Sequence, residues 1–217
     1  MQELFERAQK LRDNGKIEDA ISLYHLVTGD KTDPVLAAKA THMIGVAYYQ
    51  NEQYDLAEEA FQHAQQAFEE QGLDEYSGFI LRDRGLVARN EKRFDDAESL
   101  LKESVQRLHE SGNQGHEAMS LVKLGTVQSE KGSFDEAIQT IQQGIEILKE
   151  TPETFFLSTA YFDLAKIFRL NGMNDKSREA ADKSLEVLNS FSDDEQFQSR
   201  RKDIEHFLLE IATHASQ

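Results

Sequence analysis

Histidine, carboxylate and cysteine are the side chains from which a protein site most often draws its chemistry. The seven histidines, His25, His42, His63, His109, His116, His206 and His214, are scattered. No two stand four residues apart and no HExxH-like arrangement occurs, so no helix offers the paired imidazoles of a zinc hydrolase. Cysteine is absent, which removes disulfides, thiolate zinc sites, iron–sulfur clusters and cysteine nucleophiles, and fits a reducing compartment. There is no GxxxxGK[ST] phosphate loop, no GxGxxG after a strand and no GxSxG elbow. The 40 Asp and Glu residues lie mostly on helical faces that water reaches, whereas acid–base catalysis needs carboxylates in a shared, desolvated cleft. The expectation is a protein that is not an enzyme, with no catalytic residue, no metal and no cofactor.

Composition narrows the partners. The 24 Lys and Arg leave a formal net charge of −16, which repels a phosphate backbone, so nucleic acid is not expected as a ligand. No apolar run approaches the roughly 18 residues of a membrane span. The amino-terminal MQELFERAQK is amphipathic and charged, without the apolar core of a secretory signal, and a cytoplasmic location is expected. Hydrophobic residues make up 39% of the chain and only Pro34 and Pro152 interrupt it. Ala, Leu, Glu, Gln and Lys, all strong helix formers, dominate.

The elements that carry these residues repeat. Lys16-Ile-Glu-Asp-Ala20, Gln53-Tyr-Asp-Leu-Ala57, Arg93-Phe-Asp-Asp-Ala97 and Ser133-Phe-Asp-Glu-Ala137 align, with a weaker copy at Met173-Asn-Asp-Lys-Ser177. The last position of each falls at 20, 57, 97, 137 and 177, at spacings of 37, 40, 40 and 40. Twelve residues earlier stands another small residue: Ala8, Gly45, Gly85, Gly125 and Ala165. Two small residues at a fixed offset predict two helices in close contact, since bulk at either place would force the backbones apart. Leu121, Leu124, Gly125 and Gln128, and Tyr161, Leu164, Ala165 and Phe168, form helical stripes, as do Ile138, Ile141, Ile145 and Leu148 on the following segment.

Turn signals end the first helix of each pair: Asn14-Gly15, Asn51, Asn90, Gly132 and Asn171-Gly172, residues that tolerate the left-handed backbone of a helix terminus. Asp33-Pro34 and Thr151-Pro152 each place a capping side chain before a proline suited to a first helical position. The helices expected are 1–13 and 17–29, 34–50 and 54–71, 75–90 and 94–111, 115–131 and 134–149, and 153–171 and 175–190. A last helix at about 194–213, with Phe197, Ile204, Phe207, Leu208 and Ile211 on one side, would cap the array.

A small residue, an alanine twelve further on and a large apolar residue four beyond that (Tyr24, Phe61, Leu101, Ile141, with Ala181 departing) resemble the tetratricopeptide repeat. The period of 40 exceeds the usual 34 or so, which is similar to the long-repeat domains of kinesin light chains, spindle-orientation adaptors and bacterial peptide-sensing regulators. The resemblance implies an all-α, right-handed α-solenoid of about five antiparallel helix pairs plus a carboxy-terminal capping helix. It would form a single solenoid over 1–217, with repeats near 1–33, 34–73, 74–113, 114–152 and 153–192. The Asn that often follows the glycine in the adaptors is replaced by Val46, Leu86 and Thr126. A chain that starts at its first repeat is expected to lack the amino-terminal effector domain of the peptide-sensing regulators.

The resemblance further implies that first helices line a concave groove, five places per repeat. In this chain they hold Arg12; Lys39, His42 and Tyr49; Phe79, Arg82, Arg89 and Asn90; and Phe162, Lys166 and Arg169, among others. Of these 25 places six are Lys or Arg and two are acidic, so a locally basic groove is expected inside an acidic protein. It would suit a protein or peptide partner of acidic or carboxylate-bearing character, gripped by Arg and by aromatic anchors. A carboxylate clamp known in chaperone adaptors would use Arg82, Asn90 and Lys123, but Leu86 and Met119 stand where it needs polar groups. Two alternatives are a self-assembling homo-oligomer, which exposed apolar residues such as Leu209 would favour, and a sensor of a small signalling peptide.

Overall fold

The computed structural model describes residues 1–73, 76–190 and 195–214. The sequence-based helix starts at 75 and 194, and the repeat limits at 74 and 192, lie outside the described residues. Among the described residues there are eleven α-helices and no strand: α1 (Gln2–Asp13), α2 (Ile17–Thr28), α3 (Pro34–Gln50), α4 (Tyr54–Glu69), α5 (Ser77–Asn90), α6 (Phe94–Glu110), α7 (Gln114–Glu130), α8 (Phe134–Lys149), α9 (Thr154–Leu170), α10 (Asn174–Asn189) and α11 (Glu195–His214). They gather into two compact units, 1–107 and 108–217. In the first, each helix from α1 to α5 packs on the next; in the second, α7 to α11 do the same.

The pairs close where the small residues stand. A methyl built on Gly45 would lie 2.5 Å from the Phe61 ring, one on Gly85 2.8 Å from Leu101 Cγ, and one on Gly125 2.5 Å from Ile141 Cγ1 and 2.8 Å from the Ala137 carbonyl oxygen. Phe61, Leu101 and Ile141 are fully buried by this approach. Burial of one such side chain stabilises by roughly 1.5–3 kcal/mol. The fifth pair reaches the same end differently. It carries Ala165 with Ala181 in place of a glycine and a large residue, both fully buried. Ser177, at the motif's alanine position, donates its hydroxyl to the Ala165 carbonyl at 2.7 Å. The departure at Ala181 is therefore compensated at 165.

A second row of close contacts was not read from the sequence. Ala38 and Ala64, Gly78 and Ser104, Ala118 and Gly144, and Ser158 and Ser184 recur 26 residues apart in the second to fifth pairs, and all are buried. Ser104 donates to the Gly78 carbonyl at 2.7 Å, Ser184 donates to the Ser158 carbonyl at 2.7 Å, and a methyl on Gly144 would lie 2.9 Å from the Ala118 carbonyl. These serines act as small residues whose hydroxyls find a backbone acceptor, so they bury without an unpaired group.

Two expectations about helix ends change. The turn inside each pair puts a positive φ at 15, 52, 92, 132 and 172, but at two of these places the residue is Glu52 or Lys92 (φ 59° and 61°) rather than a neighbouring asparagine. The turn geometry fixes the place, and a non-glycine residue tolerates it at a cost of about 1–2 kcal/mol. Asp33 caps α3 as expected, accepting from Leu36 N at 2.9 Å with Pro34 at the first helical position. Pro152 does not play that part. The Thr151 hydroxyl donates back to the Leu148 carbonyl, the Pro152 carbonyl accepts from Thr154 N, and α9 starts two residues later. The last helix ends the series because Glu205 stands exposed where earlier first helices carry the small residue, while Ile204, Phe207 and Ile211 are buried.

Gly125→Ala should lower stability to urea by about 1–2 kcal/mol, because overpacking against a backbone carbonyl outweighs the gain of about 1 kcal/mol in helix propensity. Ile141→Ala should cost about 2–5 kcal/mol by leaving a cavity. The double variant, which copies Ala165 and Ala181, should cost clearly less than the sum. Additivity of the two losses would show that the contact between these positions does not limit packing.

Candidate functional site

The half-buried side chains of the first helices link one pair to the next. In the unit 1–107, α3 and α5 face each other through three contacts. The Lys39 ammonium lies 5.2 Å above the Tyr76 ring, which stacks on Phe68 at 4.4 Å. His42 Nε2 lies 2.8 Å from Asp83 Oδ2, and Arg82 Nε lies 3.3 Å from the other oxygen of that carboxylate. Asn90 donates to the Tyr49 hydroxyl at 3.1 Å and to the Tyr54 hydroxyl at 3.2 Å. Arg82 also sits 5.9 Å above the Phe79 ring. Arg12, on α1, holds Asp13 at 2.9 Å and approaches Met43 Sδ at 3.0 Å. Arg89 is half-buried in the last turn of α5.

In the unit 108–217 the pattern recurs on α7, α9 and α11. Asp163 accepts from Lys123 at 3.3 Å and from Lys166 at 3.0 Å. Lys166 lies 4.2 Å above Phe162. Phe162 is itself buried, edge-on to Phe207 of α11 at 5.4 Å. Arg169 bonds Glu210 of α11 at 2.6 Å. The last helix thus covers Phe162 and occupies Arg169. Of the three clamp residues, Arg82 and Asn90 belong to the first unit and Lys123 to the second.

The residues that sequence reasoning missed are the carboxylates. Asp83 and Asp163 stand two before Gly85 and Ala165, outside the five places counted as groove-facing, and 80 residues apart. That identical register was the available signal. Burial pushes the Asp83 carboxyl up, but the Arg82 guanidinium and the His42 hydrogen bond outweigh it, and the pKa is held below the usual carboxylate range. Asp163 likewise is pushed up by burial and brought down further by Lys123 and Lys166. The first-helix faces consequently carry cations already engaged by built-in acids, together with aromatic rings. Such a surface offers ion pairs that can exchange and rings open to contact. Among the described residues, no three of His, Asp and Glu gather into a group able to hold a metal ion.

Comparison with known proteins follows the same lines. Residues 5–72 match one tetratricopeptide-repeat model and residues 76–150 match another. No curated protein matches the sequence. Among solved structures, BtubC from P. vanneervenii superposes with a TM-score of 0.69 at 18% identity, over 86% of this chain and 80% of that one. The repeats of a putative kinesin light chain from Podosopora anserina give 0.66 at 17%, over 87% and 94%. The apo form of RapI gives 0.72 at 17%, over 98% of this chain and 61% of that one. At these identities the likeness is one of fold.

The depressed carboxylates set a pH dependence. A group whose folded pKa lies below its unfolded value stabilises above the unfolded value and loses that contribution as pH falls through the folded one. Thermal stability should therefore be level from neutral pH to about pH 4 and fall below it. Asp163→Asn should lower stability at pH 7, where Lys123 and Lys166 lose their partner, and narrow the difference from wild type below pH 4. A difference that is the same at pH 7 and pH 3 would remove Asp163 from the account.

Proposed function

We propose that this chain, which belongs to the tetratricopeptide-repeat family, is a non-catalytic scaffold that holds a peptide or protein segment against the first helices of its pairs. The partner is acidic or bears a carboxylate, and the setting is the cytoplasm. The observation that carries the reading is the paired, half-exposed row on α3 and α5, where Lys39, His42, Tyr49, Phe79, Arg82, Arg89 and Asn90 stand on adjacent helices with their donors held in place. A ligand carboxylate there exchanges with Asp83 for Arg82, and a backbone carbonyl exchanges for the Asn90 amide. Lys123, Lys166 and Arg169 supply the equivalent cations on α7 and α9, where α11 already takes one of them. The absence of cysteine and of any described helix long and apolar enough to cross a membrane fits the setting.

The test is a polarisation titration of a fluorescent acidic peptide library against wild type and an Arg82→Glu/Arg89→Glu variant, at low and physiological salt. Salt-sensitive binding that the variant loses by tenfold or more, with helicity unchanged, is the expected result. Binding equal in both proteins would move the partner off this face.

One observation favours a second reading, self-association. Leu209 on α11 is 66% exposed and Leu170 on α9 is 69% exposed, on the two helices that Arg169 and Glu210 join. If these leucines pair copies, light scattering should show a concentration-dependent dimer that Leu209→Lys abolishes. A wild type that stays monomeric at high concentration would end this reading.

A further inference from the structure

The half-buried arginines of this protein are held by other groups. Arg12 bonds Asp13, Arg82 bonds Asp83, Arg84 bonds Glu58 and Arg169 bonds Glu210. Arg201 donates to the Leu188 carbonyl at 2.8 Å. Arg200 on α11 departs from this pattern. It is half-buried as well, yet it makes no ion pair and no hydrogen bond with the described residues. Its guanidinium carbon lies 5.8 Å from the centroid of the Phe155 ring and 5.9 Å from that of Phe162. The two rings stand about two turns apart on α9, and the guanidinium sits between them.

Packing alone does not ask for an arginine here. The same place in the four preceding first helices holds Ala40, Ile80, Ser120 and Ala160, and all four are fully buried. On α11, which no later described helix covers, that place opens to water on one side. The rings engage the planar faces of the guanidinium and leave its rim of N–H donors free, the arrangement in which arginine best meets a carboxylate. A partly desolvated setting strengthens such a contact.

The surrounding charges favour an anion. Lys166 lies 4.2 Å above the same Phe162 ring and is 44% exposed. Asp163 serves Lys123 and Lys166, and Glu210 serves Arg169, which leaves Arg200 without a carboxylate of its own. The other described acids nearby, Glu153 beside Phe155 and Asp203 one turn along α11, do not bond it.

We propose that Arg200 is the anchor of a carboxylate site in the seam between α9 and α11, and that α11 is a binding element as well as the cap of the array. The occupant is an Asp or Glu side chain of a partner peptide, gripped by two parallel hydrogen bonds from the guanidinium rim. Lys166 adds a second cation when its 3.0 Å bond to Asp163 exchanges. The site rests on the scaffold reading and gives the unit 108–217 an anchor that the first-helix places alone do not contain.

The test selects displayed random peptides on the Arg82→Glu/Arg89→Glu chain, in which the α3–α5 row is disabled. Enriched peptides are then titrated against wild type, Arg200→Gln and Arg200→Lys. Circular dichroism and a thermal melt check each variant. Arg200→Lys keeps the charge in the seam and loses only the fork, so it carries the test if Arg200→Gln fails to fold. The expected result is a family with an Asp or Glu at a fixed position, whose affinity for wild type falls by about tenfold or more in Arg200→Gln and falls in Arg200→Lys as well. Replacing the peptide's acid by its amide should cost wild type the same factor and cost Arg200→Gln nothing further. No family that depends on Arg200, binding by Arg200→Lys equal to wild type, or independent contributions from the peptide acid and Arg200 would each overturn the seam site. None of these bears on the α3–α5 row, whose own test uses Arg82 and Arg89.

Discussion

Phe61, Leu101 and Ile141 lie against the backbone of the preceding helix because Gly45, Gly85 and Gly125 have no side chain to keep them away. That approach positions everything else. It sets the angle and register at which a second helix closes on a first, and so which residues of the first helix remain for the neighbouring pair and for solvent. The second row of small residues, from Ala38 and Ala64 to Ser158 and Ser184, keeps the two helices in contact along a length that a single point would leave free to splay. The extra contact suits a 40-residue period, whose helices are about a turn longer than those of the shorter repeat.

With the pairs fixed, charge decides how the first helices present themselves. The protein is strongly acidic, yet its first helices carry cations, and those cations are not left bare. Asp83 serves His42 and Arg82; Asp163 serves Lys123 and Lys166; Glu210 serves Arg169. Each carboxylate bonds a cation on the first helix of the preceding pair, so these ion pairs tie adjacent pairs together along the first-helix faces. On the proposed reading, a ligand carboxylate there would compete with an internal one, which favours specificity over raw affinity.

Much of this was legible in the residues. The alanine-to-alanine period and the small residue twelve places earlier located every described helix to within about two residues, because both follow from one steric requirement repeated five times. The second row of contacts escaped notice because Ser104, Ser158 and Ser184 read as polar, although a hydroxyl that finds a backbone carbonyl packs like a methyl group. Glu52 and Lys92 escaped because the turn, not the side chain, dictates their left-handed backbone. The acids on the first-helix faces were missed for a narrower reason: a helix face is wider than five places per repeat, and Asp83 and Asp163 sit one step outside them. The cover that α11 places over Phe162 follows from a contact with Phe207, 45 residues on, which no local pattern encodes.

Native-state hydrogen exchange tests the central claim most directly, since it reads how firmly each pair is closed. If the close approach at the small residues is the constraint on which the rest depends, the amides around Gly45, Gly85 and Gly125 and those facing them around Phe61, Leu101 and Ile141 should be the slowest in the protein, exchanging only when their whole unit unfolds. The first pair, which lacks the glycine, and α11 should open at lower free energy. Amides at these contacts that exchange as fast as those at the helix ends would contradict the account.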